Sequence, residues 1–161
     1  MTLAGTEEYR FSLATLTPLT DNARALGSGA FRWSQLYAGS GTINTSDIRE
    51  KQQQHPLSDK ERAVAVRLKS LVRAFKWNKS VEEKGKNARW HFGVMAQEVA
   101  DAFTSEGLDA HDYGLFCYDE WSEHSEVKDS EGNILEPLRQ AGNRYGIRYD
   151  ELIVFILGAS S

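Results

Sequence analysis

Ser46 and Lys51 stand five positions apart in the run Asn44-Thr45-Ser46-Asp47-Ile48-Arg49-Glu50-Lys51. Together they offer a hydroxyl nucleophile and an amine base, the two groups that acyl transfer needs. A serine hydroxyl is a poor nucleophile until a base takes its proton, and a lysine is a base only when neutral. A free lysine titrates near ~10.4, so burial or neighbouring cations must lower that value before it can serve. Ser–Lys pairs of this kind replace Ser–His in some hydrolases. Spacing works against this pair, because five residues is off-face on a helix and on opposite faces of a strand. A turn, or a contact between chains, has to bring the two side chains together. By residue type alone such a pair is ordinarily a cap or a surface contact.

Other chemistries find less support. Cys117 is the only cysteine, which excludes an internal disulfide and a structural thiolate zinc site, and its apolar setting in Leu115-Phe116-Cys117-Tyr118 suits a small buried residue. His55, His91, His111 and His124 are scattered without metal-ligand spacing, and no residue pattern calls for a cofactor. With a net charge of −4, the chain advertises no broad basic surface for nucleic acid. The basic stretch from Lys60 to Lys79 is interleaved with apolar residues and reads as a helix followed by a strand. No apolar run approaches membrane length and the N-terminus lacks a basic-then-apolar signal, so no membrane partner is expected.

The elements that must position Ser46 and Lys51 fall into two textures. In residues 1–45, the alternation of Phe11-Ser12-Leu13-Ala14-Thr15-Leu16 predicts a strand. Pro18, Asp21-Asn22, Gly27 and Gly29 then predict tight turns, and Phe31, Trp33, Leu36 and Tyr37 an aromatic cluster. A segment this thin has little core of its own and is expected to need identical copies of itself. From Ser58 the pattern becomes that of a folded body. Ser58 is placed to cap a helix whose stripe is Ala63, Val66, Leu68 and Leu71. Arg73 to Lys79 and Trp90 to Met95 read as two strands of a hairpin around a charged turn at Glu82–Asn87, with Trp77 and Trp90 in its core. Ala96 to Phe103 predicts a helix stopped by Gly107. Gly114 to Trp121 and Tyr145 to Tyr149 predict strands, with a turn at Asp129-Ser130-Glu131-Gly132-Asn133 between them. Asp150 is read as the cap of an almost wholly apolar last helix, Glu151 to Leu157, which needs a subunit interface for burial. The expected fold is α+β: a turn-rich β arm, then a compact helix–β-hairpin–helix body.

Three ordered signatures give this chain a family resemblance. Leu26-Gly27-Ser28, Arg32-Trp33, Leu36-Tyr37-Ala38 and Asn44-Thr45-Ser46-Asp47 with Arg49 and Lys51 form the first. His91-Phe92-Gly93-Val94-Met95-Ala96-Gln97-Glu98-Val99 resembles a His-x-Gly-x-x-Ala-Gln signature, and Tyr145 to Leu152 resembles a Tyr-x-x-Leu closing segment. Together, over residues 26–157, they are similar to the intramolecular chaperones of peptidase family S74. These are the C-terminal auto-processing domains of phage tail fibres, tailspikes and endosialidases.

The resemblance implies a homotrimer with two parts: residues 1–45 as the end of a trimeric β stem, and 46–161 as the chaperone domain. Three chains would assemble, align the upstream fibre segment of the same chain, and then release the chaperone by self-cleavage. It implies Ser46 as nucleophile, Lys51 as its base, and His91 as a candidate for positioning or stabilising the cleavage site. His91 reads equally as a core histidine bonded to a backbone carbonyl. Asp47 and Arg49 belong to the motif without an assigned role. Attack by Ser46 on the carbonyl before it closes a five-membered ring and cuts Thr45–Ser46; attack by another chain's serine cuts Ser46–Asp47. Both remain open. Assembly is expected in the host cytoplasm, with the mature fibre in the virion tail. Any receptor-binding or glycan-cleaving activity of a parent fibre is expected upstream. The family often continues past the closing helix whereas this sequence stops at Ser161, so trimer strength is expected to rest on Leu152, Phe155, Ile156 and Leu157. The competing reading is a non-cleaving trimeric fibre tip that stays attached and binds a host surface.

Overall fold

A computed structural model describes residues 2–3, 6–7 and 9–159. Two units part between Gly39 and Ser40. In the first, β1 (Thr2–Leu3) pairs with β2 (Thr6–Glu7), and β3 (Tyr9–Phe11) pairs with β4 (Leu16–Pro18), all antiparallel. The single strand expected over Phe11–Leu16 is therefore a hairpin. Ser12 turns the chain: its amide donates to the Thr15 carbonyl at 2.9 Å, and its Oγ accepts from the Thr15 amide at 3.1 Å. Alternation runs down both arms of a hairpin, so a period of two carries no mark of the reversal. None of the described residues 9–39 is buried, and Phe31, Trp33, Leu36 and Tyr37 are all exposed. Among its described residues 9–39 this unit has apolar side chains but no core.

The second unit is an α+β body. Helix α1 (Asp59–Ser70) starts at Ser58, whose Oγ accepts from the Glu61 amide while Glu61 Oε2 accepts from the Ser58 amide at 2.7 Å. That is a complete capping box. Its buried stripe is Glu61, Val64, Ala65 and Leu68, with Leu71 half-buried; Ala63 and Val66 are exposed. The i, i+3, i+4, i+7 series starting at Glu61 leaves residues 63 and 66 on the other side, which corrects the expected stripe. Strand β5 (Arg73–Phe75) pairs with β6 (His91–Gly93), placing Phe75 opposite His91. The link between them is not a turn but helix α2 (Asn78–Lys84) and a 3-10 turn at Gly85–Asn87. Because α2 buries no residue, it has no apolar stripe from which to be read. Trp77 and Trp90 lie beyond the paired register and are exposed, not hairpin core.

Helix α3 (Ala96–Ser105) buries Val99, Ala102 and Phe103 and stops at Gly107, whose φ of +68° is the left-handed C-cap conformation that favours glycine. After a 3-10 turn at Ala110–Asp112, β7 (Phe116–Trp121) pairs along its length with β10 (Gly142–Ile147). Between them β8 (Val127–Lys128) and β9 (Ile134–Glu136) form a smaller hairpin around the Asp129–Asn133 turn. Cys117 is half-buried rather than buried, because its partner across the ladder is Gly146, which has no side chain to cover it. Helix α4 runs Tyr149–Gly158 with Arg148 as N-cap, so Asp150 sits inside the first turn instead of capping it.

Helix α1 packs on α3 and α4, and the core joins Val64, Leu68, Val99, Phe103, Leu115, Phe116 and Leu152. Phe103, Leu68, Val64 and Val99 are fully buried, each contributing about 1.5–3 kcal/mol of transfer free energy. On α4, Leu152 is buried and Phe155 and Ile156 pack partly against the same core, while Ile153, Val154 and Leu157 stay 54%, 71% and 63% exposed.

Candidate functional site: a serine–lysine turn over helix α4

Between Ser40 and Asp47 the chain forms no helix or strand. Asp47 then caps a 3-10 turn, Ile48–Glu50, its Oδ1 accepting from the Arg49 amide at 2.9 Å. The Glu50 amide donates to the Asp47 carbonyl and the Lys51 amide to the Ile48 carbonyl, which closes the turn. A 3-10 turn takes three residues per revolution, so it folds the chain back between Ser46 and Lys51. Lys51 Nζ donates to Ser46 Oγ at 2.7 Å. The turn that the five-residue spacing demanded is present within one chain.

Asp47 and Arg49, which had no role from sequence alone, build that turn. Arg49 Nε reaches both carboxylate oxygens of Asp47 at 3.0 Å, and its Nη2 adds a further bond. The Arg49 side chain, and then its amide, hold the Asp47 carboxyl below the usual carboxylate range; the same pairing raises the Arg49 guanidinium. Asp47 is therefore fixed as an anion and as a cap, and the lysine is left to the serine.

Ser46, Thr45 and Lys51 line an open groove of about 960 Å³ with Asn44, Leu57, Tyr113, Arg148, Asp150 and Val154. Asn44 Nδ2 donates to Asp150 Oδ2 at 2.8 Å, a bond between residues 106 positions apart. Arg148 donates to the Gly114 carbonyl, and a Cβ at Gly114 would meet Glu151 Oε2 at 2.5 Å. The first turn of α4 thus sits tightly on the Gly114 backbone. Ser46 and Lys51 are exposed in the single chain. The geometry holds a hydroxyl against an amine, and any burial of the pair would favour the uncharged lysine that a base requires.

His91 is elsewhere. It lies on β6 with its ring stacked on Phe75 at 5.8 Å and near Trp77 at 6.1 Å, in a second groove of about 910 Å³ that also takes in Arg144, Tyr145 and Tyr149. It does not line the Ser46 groove of its own chain. The glycine two residues later makes room for a tyrosine. Tyr149 Oη accepts from the Val94 amide at 3.2 Å, where a Cβ on Gly93 would come within 2.1 Å of that oxygen. The His-x-Gly and Tyr-x-x-Leu segments touch here. Among the described residues no group of His, Cys, Asp and Glu could hold a metal ion, and no helix is long and apolar enough to cross a membrane.

The model of the peptidase S74 family, described as chaperone of endosialidase, matches residues 46–108. The chain is 36% identical over 149 residues to side tail fiber protein pb1 of Escherichia phage T5, covering 88% of this chain and 10% of that protein. It is also 36% identical over 141 residues to the tail spike protein of Escherichia virus K5, covering 86% and 22% respectively. The chain therefore spans about a tenth and about a fifth of the length of these two curated relatives. Among solved structures, one similar chain is the carboxy-terminal domain of the bacteriophage T5 L-shaped tail fiber with its intramolecular chaperone domain. The TM-score is 0.77 at 34% identity, over 90% of this chain and 36% of that one. A second, described as a novel intramolecular chaperon, matches with a TM-score of 0.62 at 43% identity, over 71% of this chain and 93% of that one.

Proposed function

The chain belongs to the peptidase S74 family of endosialidase-type chaperones, and from that premise we propose that it is the folding module of a phage tail fibre or tailspike. In this reading three copies associate through the body (residues 46–161), align the preceding β stem whose end is residues 1–45, and then cut themselves free at Ser46. Long intertwined β structures fold slowly through non-local contacts and can slip in register. A trimeriser fused to them raises the local concentration of the strands. Its later loss leaves unfolding without an easy reverse path, which is kinetic stability. Assembly would take place in the host cell and the finished stem would go to the virion tail.

The observation that carries the reading is the 2.7 Å contact from Lys51 Nζ to Ser46 Oγ. Neutral Lys51 takes the hydroxyl proton, Ser46 Oγ attacks a junction carbonyl, the C–N bond breaks as the lysine ammonium returns that proton to the leaving amine, and water then hydrolyses the ester. The bond cut is Thr45–Ser46 or Ser46–Asp47. Exposure of the pair in one chain supports a role for assembly: a neighbouring chain that covered it would disfavour the ammonium form. His91, outside this groove in its own chain, would act only if a neighbour's β6 is brought up to it.

Intact-mass spectrometry of the purified chain beside Ser46→Ala and Lys51→Ala tests this. Two fragments meeting at Ser46 in the parent, with both variants whole, are expected and identify the bond. A parent that is trimeric yet uncut would instead favour a fibre tip that remains attached.

A further inference from the structure

The segment that carries the nucleophile has no secondary structure of its own, whereas the surface it lies against is firmly built. Residues 40–46 belong to no helix or strand. Opposite them, the start of α4 is fixed by four neighbouring contacts. Arg148 bonds the Gly114 carbonyl, Tyr149 bonds the Val94 amide over Gly93, Glu151 packs on Gly114, and Leu152 is buried in the core. Asp150 stands in the middle of this run, and its carboxylate accepts from Asn44, two residues before Ser46. It also occupies the first helical turn, where negative charge is favoured.

We propose that Asp150 is a positioning residue for cleavage: through Asn44 it holds the junction peptide over α4, so that the scissile carbonyl is presented to the Ser46–Lys51 pair only when α4 is docked. This rests on the self-cleavage reading and deepens it, because it couples the scissile segment to the helix whose Ile153, Val154 and Leu157 await a cover. The Asp47–Arg49 turn sets the distance between the two reacting side chains. The Asn44–Asp150 bond sets where the peptide entering that turn runs. A junction freed from α4 would keep the turn and lose the path, and small misplacements of reacting groups are costly in rate.

The test compares Asn44→Ala, Asp150→Ala and the exchange Asn44→Asp with Asp150→Asn, which reverses donor and acceptor. Cleavage is followed by intact mass, assembly by light scattering and stability by melting temperature. Each single change should slow cleavage about tenfold or more, the rate equivalent of one hydrogen bond to a charged group. The trimer should be unaltered and the melting temperature should fall by no more than a few degrees, and the exchange should recover most of the rate. In a Lys51→Ala background, which cannot cut, Asp150→Ala should speed hydrogen exchange at residues 43–47. Single variants that cut at the parent rate, an exchange as slow as the singles, or unaltered hydrogen exchange would each overturn the proposal. If the parent never cuts but hydrogen exchange still responds to Asp150→Ala, the latch stands and the cleavage reading falls.

Discussion

The contact between Ser46 and Lys51 is made by the two residues that build the turn between them. Asp47 caps a three-residue turn, and Arg49 holds Asp47 in its charged form. Without that turn an i, i+5 pair has no reason to meet, so the candidate residue types were legible in the sequence but their contact was not. Caps of helices are spelled by local residue types. A side chain that folds onto its own neighbour two positions away, as Arg49 does, leaves no periodic trace. Lys51→Arg separates contact from chemistry. Arginine can still donate to Ser46 Oγ, but a guanidinium does not lose its proton in proteins. The variant should trimerise and stay uncut over days in an intact-mass time course. Cleavage at even a tenth of the parent rate would remove the lysine from the role of base.

Among the elements, α1 is the one whose start is written most fully in the sequence. Ser58 is the expected cap and Glu61 completes it, yet Glu61 does more than cap: it is buried, and Tyr113 Oη donates to its second oxygen at 3.2 Å. Burial pushes its carboxyl up, but bonds from the Ser58 side chain and backbone and from Tyr113, with a contribution from His55, outweigh it and leave it below the usual range. A carboxylate depressed in the folded state gives stability that is full above its unfolded value, about 4.3, and is lost as pH falls through the lower folded one. Glu61→Gln should therefore be less stable than the parent at pH 7, with the gap closing as pH drops below about 4. Melting curves from pH 7 to pH 3 check it, and a gap that stays constant would take Glu61 out of the acid response. Elements that bury nothing were the ones missed. Helix α2 has helix-forming lysines and glutamates but presents no face to the core, and the Ser12 turn hides inside an unbroken alternation.

At the scale of the molecule, the question is what the chain leaves uncovered. The first unit has no buried side chain among its described residues 9–39, and α4 turns Ile153, Val154 and Leu157 to solvent. Of the four residues expected to hold chains together, Leu152 is buried in the chain's own core, Phe155 and Ile156 pack partly against it, and Leu157 is exposed. The sequence showed that α4 was too apolar to stand exposed, but not which side faced inward, since nearly every position is apolar. Covering the open side chains in a trimer would contribute about 1.5–3 kcal/mol for each one fully buried. Ile153→Glu with Leu157→Glu, one turn apart on the same face, should yield a monomer by light scattering with its helical signal kept. A trimer of parent strength would show that the chains meet elsewhere. Under the proposed self-cleavage, the Asn44–Asp150 bond also bears on how the two products separate. Whichever bond breaks, Asn44 stays with the upstream piece and Asp150 with the chaperone, so a contact within one chain becomes a contact between two molecules. A single hydrogen bond to a charged group is worth about 1.5–3 kcal/mol at best, while even a millimolar complex needs about 4 kcal/mol. On that proposal the bond would be too weak to detain the product, and departure would be left to the surfaces the chains share.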